Sequence, residues 1–427
     1  MFTTTVSAEI QGYRKSPGGA VPRSQSRVLE RSFSKAASMR IPPTTARVTD
    51  TRAQQVAGAL RLLFALLVPV LLGACSSLGY YAQAVDGQLG VLSKRRPIDE
   101  VLADPKVSAR VKARLRLAQR ARRFASDVLD LPDNDSYRSY ADLGRPYPAW
   151  NVVATKPFSV KPVPQCYLLV GCMSYRGYFH KQAALDHARA LRVQGMDVAV
   201  VPVTAYSTLG WFDDPIFNSM LRRPRANLVG VIFHELAHQR LYVDGDSTFN
   251  ESFANFVERE GLHRWFTARG DPQAYRRYLK SRQREAQFDS LLIATRHRLA
   301  AVYGAGRSPS DMRKAKARAF AELQRRYRAL KKSWGGYAGY DPFMASGLNN
   351  ANLALVATYE DWIPAFRALF EREDDHFPAF YRAAERIGKL PSTERHRTLA
   401  KLADRSAVGA ASMSMPDRSA ADVEARR

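Results

Sequence analysis

NLVGVIFHELAHQRLYVDGDSTFNESFANFVEREG, residues 227–261, is the stretch from which the rest of the chain is best read. Its first half is a long apolar run, with Pro224 just before it and Asp244-Gly245-Asp246 after it, the pattern of one buried helix. Within that run stand His234, Glu235 and His238. Residues four apart on a helix lie about 40° apart on one face, so both imidazoles can reach one zinc ion while Glu235 sits beside the open coordination position. Such an ion polarises a carbonyl and lowers the pKa of its water towards about 7, and the carboxylate beside it takes the proton and hands it to a leaving amine. The chain has only eight histidines. A chance match to this pattern is therefore on the order of one in a hundred. The plainer alternative is two core histidines on a buried helix.

A zinc site of this kind needs a third protein ligand. Asp244 stands where a metzincin has one, but that pattern needs a glycine three after the second histidine, and this chain has Leu241. Glu251 is the preferred candidate, because it opens a second helix that a short turn folds back on the first. The same residue closes Thr248-Phe249-Asn250-Glu251, a capping box in which the carboxylate would serve only a backbone amide. Asn255, one turn on, is a candidate to orient a ligand, or a polar residue on a solvated face. Tyr206, Tyr242 and Tyr359 are candidates to stabilise the oxyanion, with Tyr206 preferred as catalytic; each is also readable as a packed aromatic. An extended substrate is expected to pair with the chain near residues 201–207, and Asn349 and Asn350 either bind its backbone or cap a helix.

Toward the N-terminus, residues 62–74 (LLFALLVPVLLGA) form an uncharged apolar run behind Arg40, Arg47, Arg52 and Arg61. It is too short to span a bilayer comfortably and has the layout of a secretory signal peptide. Leu72-Gly73-Ala74-Cys75 resembles a bacterial lipobox, which makes Cys75 the expected lipidation site and Met39 the expected true start. Three cysteines exclude a disulfide-dense scaffold and a four-cysteine metal site. In an oxidising compartment the remaining two, Cys166 and Cys172, are expected to pair.

Elsewhere, residues 97–130 read as helices, 148–172 as extended, 181–194 as a helix stopped by Gly195, and 197–204 as a strand that Pro202 puts at a sheet edge. The net charge of +25 is uneven. Residues 262–336 hold 19 Lys and Arg against 5 Asp and Glu, in two long helices at about 272–303 and 310–332 joined by GAGRSPSD. This basic helical hairpin is expected to meet anionic headgroups or envelope polymers, or to be two solvated faces; no nucleic acid is expected.

HELAHQ followed by FNESFANFVEREG, with GCMSYRGYF and AYSTLGWFDDP upstream, resembles a family of bacterial zinc aminopeptidases, predicted lipoproteins with gluzincin-like sites. The resemblance runs from about residue 79 to 390 and includes GYYAQAVDGQ, LPDNDSYRSYADL and GLNNANLALVATY in the same order. It implies that His234, His238 and Glu251 are zinc ligands, that Glu235 is the base, and that peptides are the substrates. The expected architecture is a mainly helical α+β, zincin-like metallopeptidase domain over residues 75–404, with a small sheet and the basic hairpin. Residues 1–74 are read as extension and signal peptide, and 405–427 as a disordered tail. The expected setting is the cell envelope, with the domain lipid-anchored at the outer membrane and facing the periplasm; the alternative function is that of a non-catalytic envelope lipoprotein in which the zinc site is structural.

Overall fold

The computed structural model describes residues 79–167, 171–356 and 362–413. The apolar run, Cys75 and Tyr359 lie outside them. Contacts divide the chain into two units: residues 14–83, of which 79–83 are described and helical, and a second unit whose described residues begin at Ala84. The account below concerns the second unit. It is α+β and mainly helical, as expected. No helix among the described residues is long and apolar enough to cross a membrane.

The chain enters through helical residues 84–92, strand β1 (Arg95–Pro97) and helix α1 (Ile98–Ala103), then α2 (Ala109–Asp127), capped by Ser108, whose hydroxyl accepts from the Val111 amide. Val107 and Val111 pack half-buried on the core and Leu115 is fully buried, so the three- and four-residue apolar spacing does form one inward face. Strand β2 (Ser139–Ala141) lies between β1 and β8 (Ile216–Phe217), antiparallel to the first and parallel to the second.

A second sheet has β3 (Ala149–Thr155) at its centre, flanked by β6 (Arg176–Tyr178) and β7 (Asp197–Val203), both antiparallel to it. Strand β7 is at the edge, where Pro202 faces Trp150 and costs no inner ladder bond. Helix α3 (Lys181–Val193) packs on this sheet and ends at Gly195, which takes φ +77°. Strands β4 (Gln165–Tyr167) and β5 (Gly171–Met173) bring Cys166 opposite Cys172, and the two are disulfide-bonded.

The largest core surrounds α4 (Arg225–Arg240) and α5 (Ser247–Thr267). These two helices approach closely at Gly261, where a Cβ would fall 2.8 Å from the Phe233 ring and 2.7 Å from Leu129. Next come the long helices α6 (Pro272–Gly304) and α7 (Pro309–Ser333), each with proline in its first turn behind an Asp or Ser cap. They enclose a separate core of Phe288, Leu292, Leu299, Leu323 and Tyr327. Lys314, Arg318, Arg325, Arg328 and Lys332 are exposed, and their spacing puts them on one side of α7, opposite Ala319 and Leu323.

Short α8 (Asp341–Met344) and α9 (Asn350–Ala354) follow, then α10 (Ile363–Arg372), α11 (Phe377–Gly388) and α12 (Ser392–Met413), whose described side chains close the main core. The α9 start resolves one open reading. Asn349 caps the helix reciprocally with Asn352 and donates to the Val198 carbonyl at 3.2 Å, while Asn350 donates to Pro157 O and accepts from Tyr303. Asn349 is thus engaged in capping and Asn350 in contacts with Pro157 and Tyr303.

Candidate metal centre

Residues 228–238 of α4 are all buried, which is why this helix lacks an amphipathic pattern and reads as a continuous apolar run. It stops at Arg240, and Leu241 leaves in extended conformation without needing a glycine. Asn250 closes the following turn by exchanging two hydrogen bonds with the Val243 backbone, both 2.8 Å. Helix α5 begins at Ser247 and is capped by Asp246, whose carboxylate accepts from the Phe249 amide at 3.0 Å. This corrects the Thr248–Glu251 capping box. With Asp246 in that role, Glu251 stands inside the helix, and its carboxylate faces the histidines.

His234 Nε2 and His238 Nε2 are 3.1 Å apart. Glu251 Oε2 lies 3.5 Å from the first and Oε1 3.6 Å from the second. A tetrahedral ion with bonds of about 2.0–2.2 Å has ligand-to-ligand edges of about 3.3–3.6 Å. The two carboxylate distances fall within those edges and the imidazole pair lies just under them, so the donor set suits a small tetrahedral ion, and these are the three residues that could hold a metal ion among the described residues. Asp244 is exposed and outside the group.

Burial opposes charging either imidazole. At His234 it is overcome by Glu251 and Glu258, which push the pKa up to about 10; His238, with Glu251 offset by the His234 ring, falls to about 4. Burial also opposes ionising Glu258, yet His234 and Arg282 bring its pKa down to about 2. Its carboxylate is 3.4 Å from His234 Nδ1, on the side away from the ligand cluster. Asn255, expected behind the ligands, is buried on α5. The signal for Glu258 was spacing: seven residues after Glu251 is two helical turns, nearly the same face.

Glu235 is fully buried. Beside it lies Tyr137, whose phenol is driven far up by burial and by the Asp214 and Glu235 carboxylates. Tyr137 takes φ +65°, uncommon for a bulky side chain and a mark of a conformation imposed by its surroundings. Arg122, buried on α2, braces the preceding loop by donating to the carbonyls of Pro132, Asn134 and Ser136 at 2.7–2.9 Å, and the Tyr137 amide itself donates to the Asp214 carbonyl at 2.6 Å. Asn134 and Ser136 then bond Gln239, the residue after His238, tying this loop to the metal helix. None of these residues carried a recognisable signal beyond LPDNDSYRSYADL as a whole.

Tyr206, expected as an oxyanion donor, is buried. Its hydroxyl donates to Gln88 Oε1 at 2.9 Å, and its ring packs on Phe179 and Phe217. Tyr242 stacks edge-on to His238 with centroids 6.4 Å apart. Tyr242 thus contacts His238, and Tyr137 feels the Glu235 carboxylate. The loop between β7 and β8 is held at its base by Asp214, which accepts from Ser207 and the Thr208 amide, and its tip exposes Trp211 and Phe212.

Comparison with curated proteins and with solved structures finds no match to the chain. Residues 79–399 match the family model described as "Putative aminopeptidase", and the chain belongs to that family.

Proposed function

We propose that this member of the family is a zinc-dependent peptidase, an aminopeptidase of zincin-like type, with His234, His238 and Glu251 as ligands and Glu235 as the general base. The observation that carries the reading is the convergence of two Nε2 atoms and one carboxylate at 3.1–3.6 Å, with a second carboxylate next in sequence to the first histidine. Zinc held there would supply Lewis acidity to the site. Glu235 is placed to take a proton from the attacking water as its oxygen bonds to the carbonyl carbon, and to pass that proton to the amine nitrogen when the C–N bond then breaks. Tyr137 and Tyr242 are the donors available to the developing oxyanion.

Cys75 carries the lipid in this reading and tethers the domain to the periplasmic side of the envelope, with the basic hairpin facing anionic headgroups. The deciding experiment replaces Glu235 by Gln in the zinc-loaded protein and measures hydrolysis of a peptide library. Loss of turnover with zinc retained supports the peptidase; unchanged turnover leaves a structural zinc staple as the better account.

A further inference from the structure

Gly230 sits in the middle of α4, one turn before His234 and on the same side of the helix. A mid-helix glycine is a poor helix former, and no turn or positive φ requires one at this position. What requires it is Glu258. A Cβ at residue 230 would lie 2.7 Å from Glu258 Oε1 and 3.1 Å from its Cγ and Cδ. The missing side chain leaves a notch in α4 through which the Glu258 carboxylate runs alongside the helix to reach His234.

The carboxylate in that notch has a partner at each end, a hydrogen bond at one and a charge contact without hydrogen-bond alignment at the other. Oε2 is 3.4 Å from His234 Nδ1, and Oε1 accepts from the Tyr278 hydroxyl of α6, also at 3.4 Å. His234 is thus set between two carboxylates of one helix, with Glu251 3.5 Å from its Nε2. A carboxylate at Nδ1 keeps the proton on that nitrogen and leaves the Nε2 lone pair directed at the ligand cluster.

We infer that Gly230, Glu258 and Tyr278 form a positioning unit that fixes the tautomer and orientation of His234 and so sets the metal affinity of the site. This rests on the metal reading of the three ligands. Glu258 touches neither substrate nor the reacting atoms; it acts through His234. Gly230 acts one step further back, by giving Glu258 room.

The test is zinc titration of the metal-free protein against a competing chelator, with the metal-free melting temperature as a second readout. Glu258→Gln, Glu258→Ala and Gly230→Ala are each expected to weaken zinc binding about 10–100-fold. The double variant Gly230→Ala with Glu258→Ala is expected to bind no more weakly than Glu258→Ala alone, and to melt no lower, because the added methyl meets no carboxylate. Glu258→Gln keeps the side-chain volume and so reports on tautomer control if the alanine variants fold poorly. A wild-type protein that takes up no zinc overturns the metal reading together with this inference. Zinc uptake by wild type that Gly230→Ala leaves unchanged, or losses from the two substitutions that simply add, overturns the positioning unit alone.

Discussion

Asp246 and Arg395, 149 residues apart, meet in a buried ion pair with Nε 2.7 Å from Oδ2. The same carboxylate contacts His396 at 2.8 Å and caps α5, so the C-terminal helix is latched to the start of the helix that carries Glu251.

Replacing Asp246 by Ala is expected to cost about 3 kcal/mol, because it leaves the buried guanidinium unpaired and removes the cap. Burial opposes ionisation of Asp246, but the Phe249 amide, Arg395 and His396 outweigh it and hold the pKa below 3.8. A lowered carboxylate pKa stabilises the fold above the unfolded value and loses that contribution as pH falls through the folded value. Thermal melts from pH 7 to 3 should therefore converge for wild type and Asp246→Ala at the acid end. A difference that stays constant over that range contradicts the pairing.

Glu251→Ala is expected to abolish tight zinc binding and Asp244→Ala to leave it within about twofold, since only the first carboxylate completes the three-ligand set. Zinc content after gel filtration measures both. Metal retained by Glu251→Ala and lost by Asp244→Ala would reverse the assignment.

Tyr137→Phe is expected to lower kcat about 100-fold with KM little changed, the behaviour of a donor used only in the transition state. Tyr206→Phe should alter thermal stability instead, by about 1 kcal/mol, through the lost bond to Gln88. Steady-state kinetics and a melt of each variant separate the two. A kcat loss in Tyr206→Phe that matches Tyr137→Phe would restore Tyr206 to the site.

The exposed stripe Lys314, Arg318, Arg325, Arg328 and Lys332 extends about 27 Å along α7. A charge-reversed variant, Arg318→Glu with Arg325→Glu, should lose sedimentation with vesicles containing an anionic lipid, while wild type should sediment at low salt and release at high salt. Equal sedimentation with purely zwitterionic vesicles counts against the headgroup reading.

The readable parts of this molecule are those whose physics is local. A helix sets residues four apart on one side, so His234 and His238 announce each other, and a proline at 202 announces an edge. The capping box at Thr248 is equally local, yet Asp246 displaces it because Arg395 and His396 reach that residue from across the fold. Glu258 is harder to read, because it stands two turns past Glu251 and shows its partner only once α5 is packed against α4. Tyr137 carries no local signal, since its positive φ comes without the glycine or asparagine that usually marks such a conformation and its backbone bond is to Asp214, far along the chain.

The Leu129 carbonyl, at the foot of the Arg122 loop, accepts from the Tyr381 hydroxyl 252 residues later. Contacts of that sequence separation form late, because the intervening chain must be closed before they give anything back. A chain made from its N-terminus has the histidines long before it has the residues that frame them. Asp246, which caps the helix that carries Glu251, gains its Arg395 partner only once the last described helix has been made, so a half-made chain holds the three candidate ligands before it holds that latch.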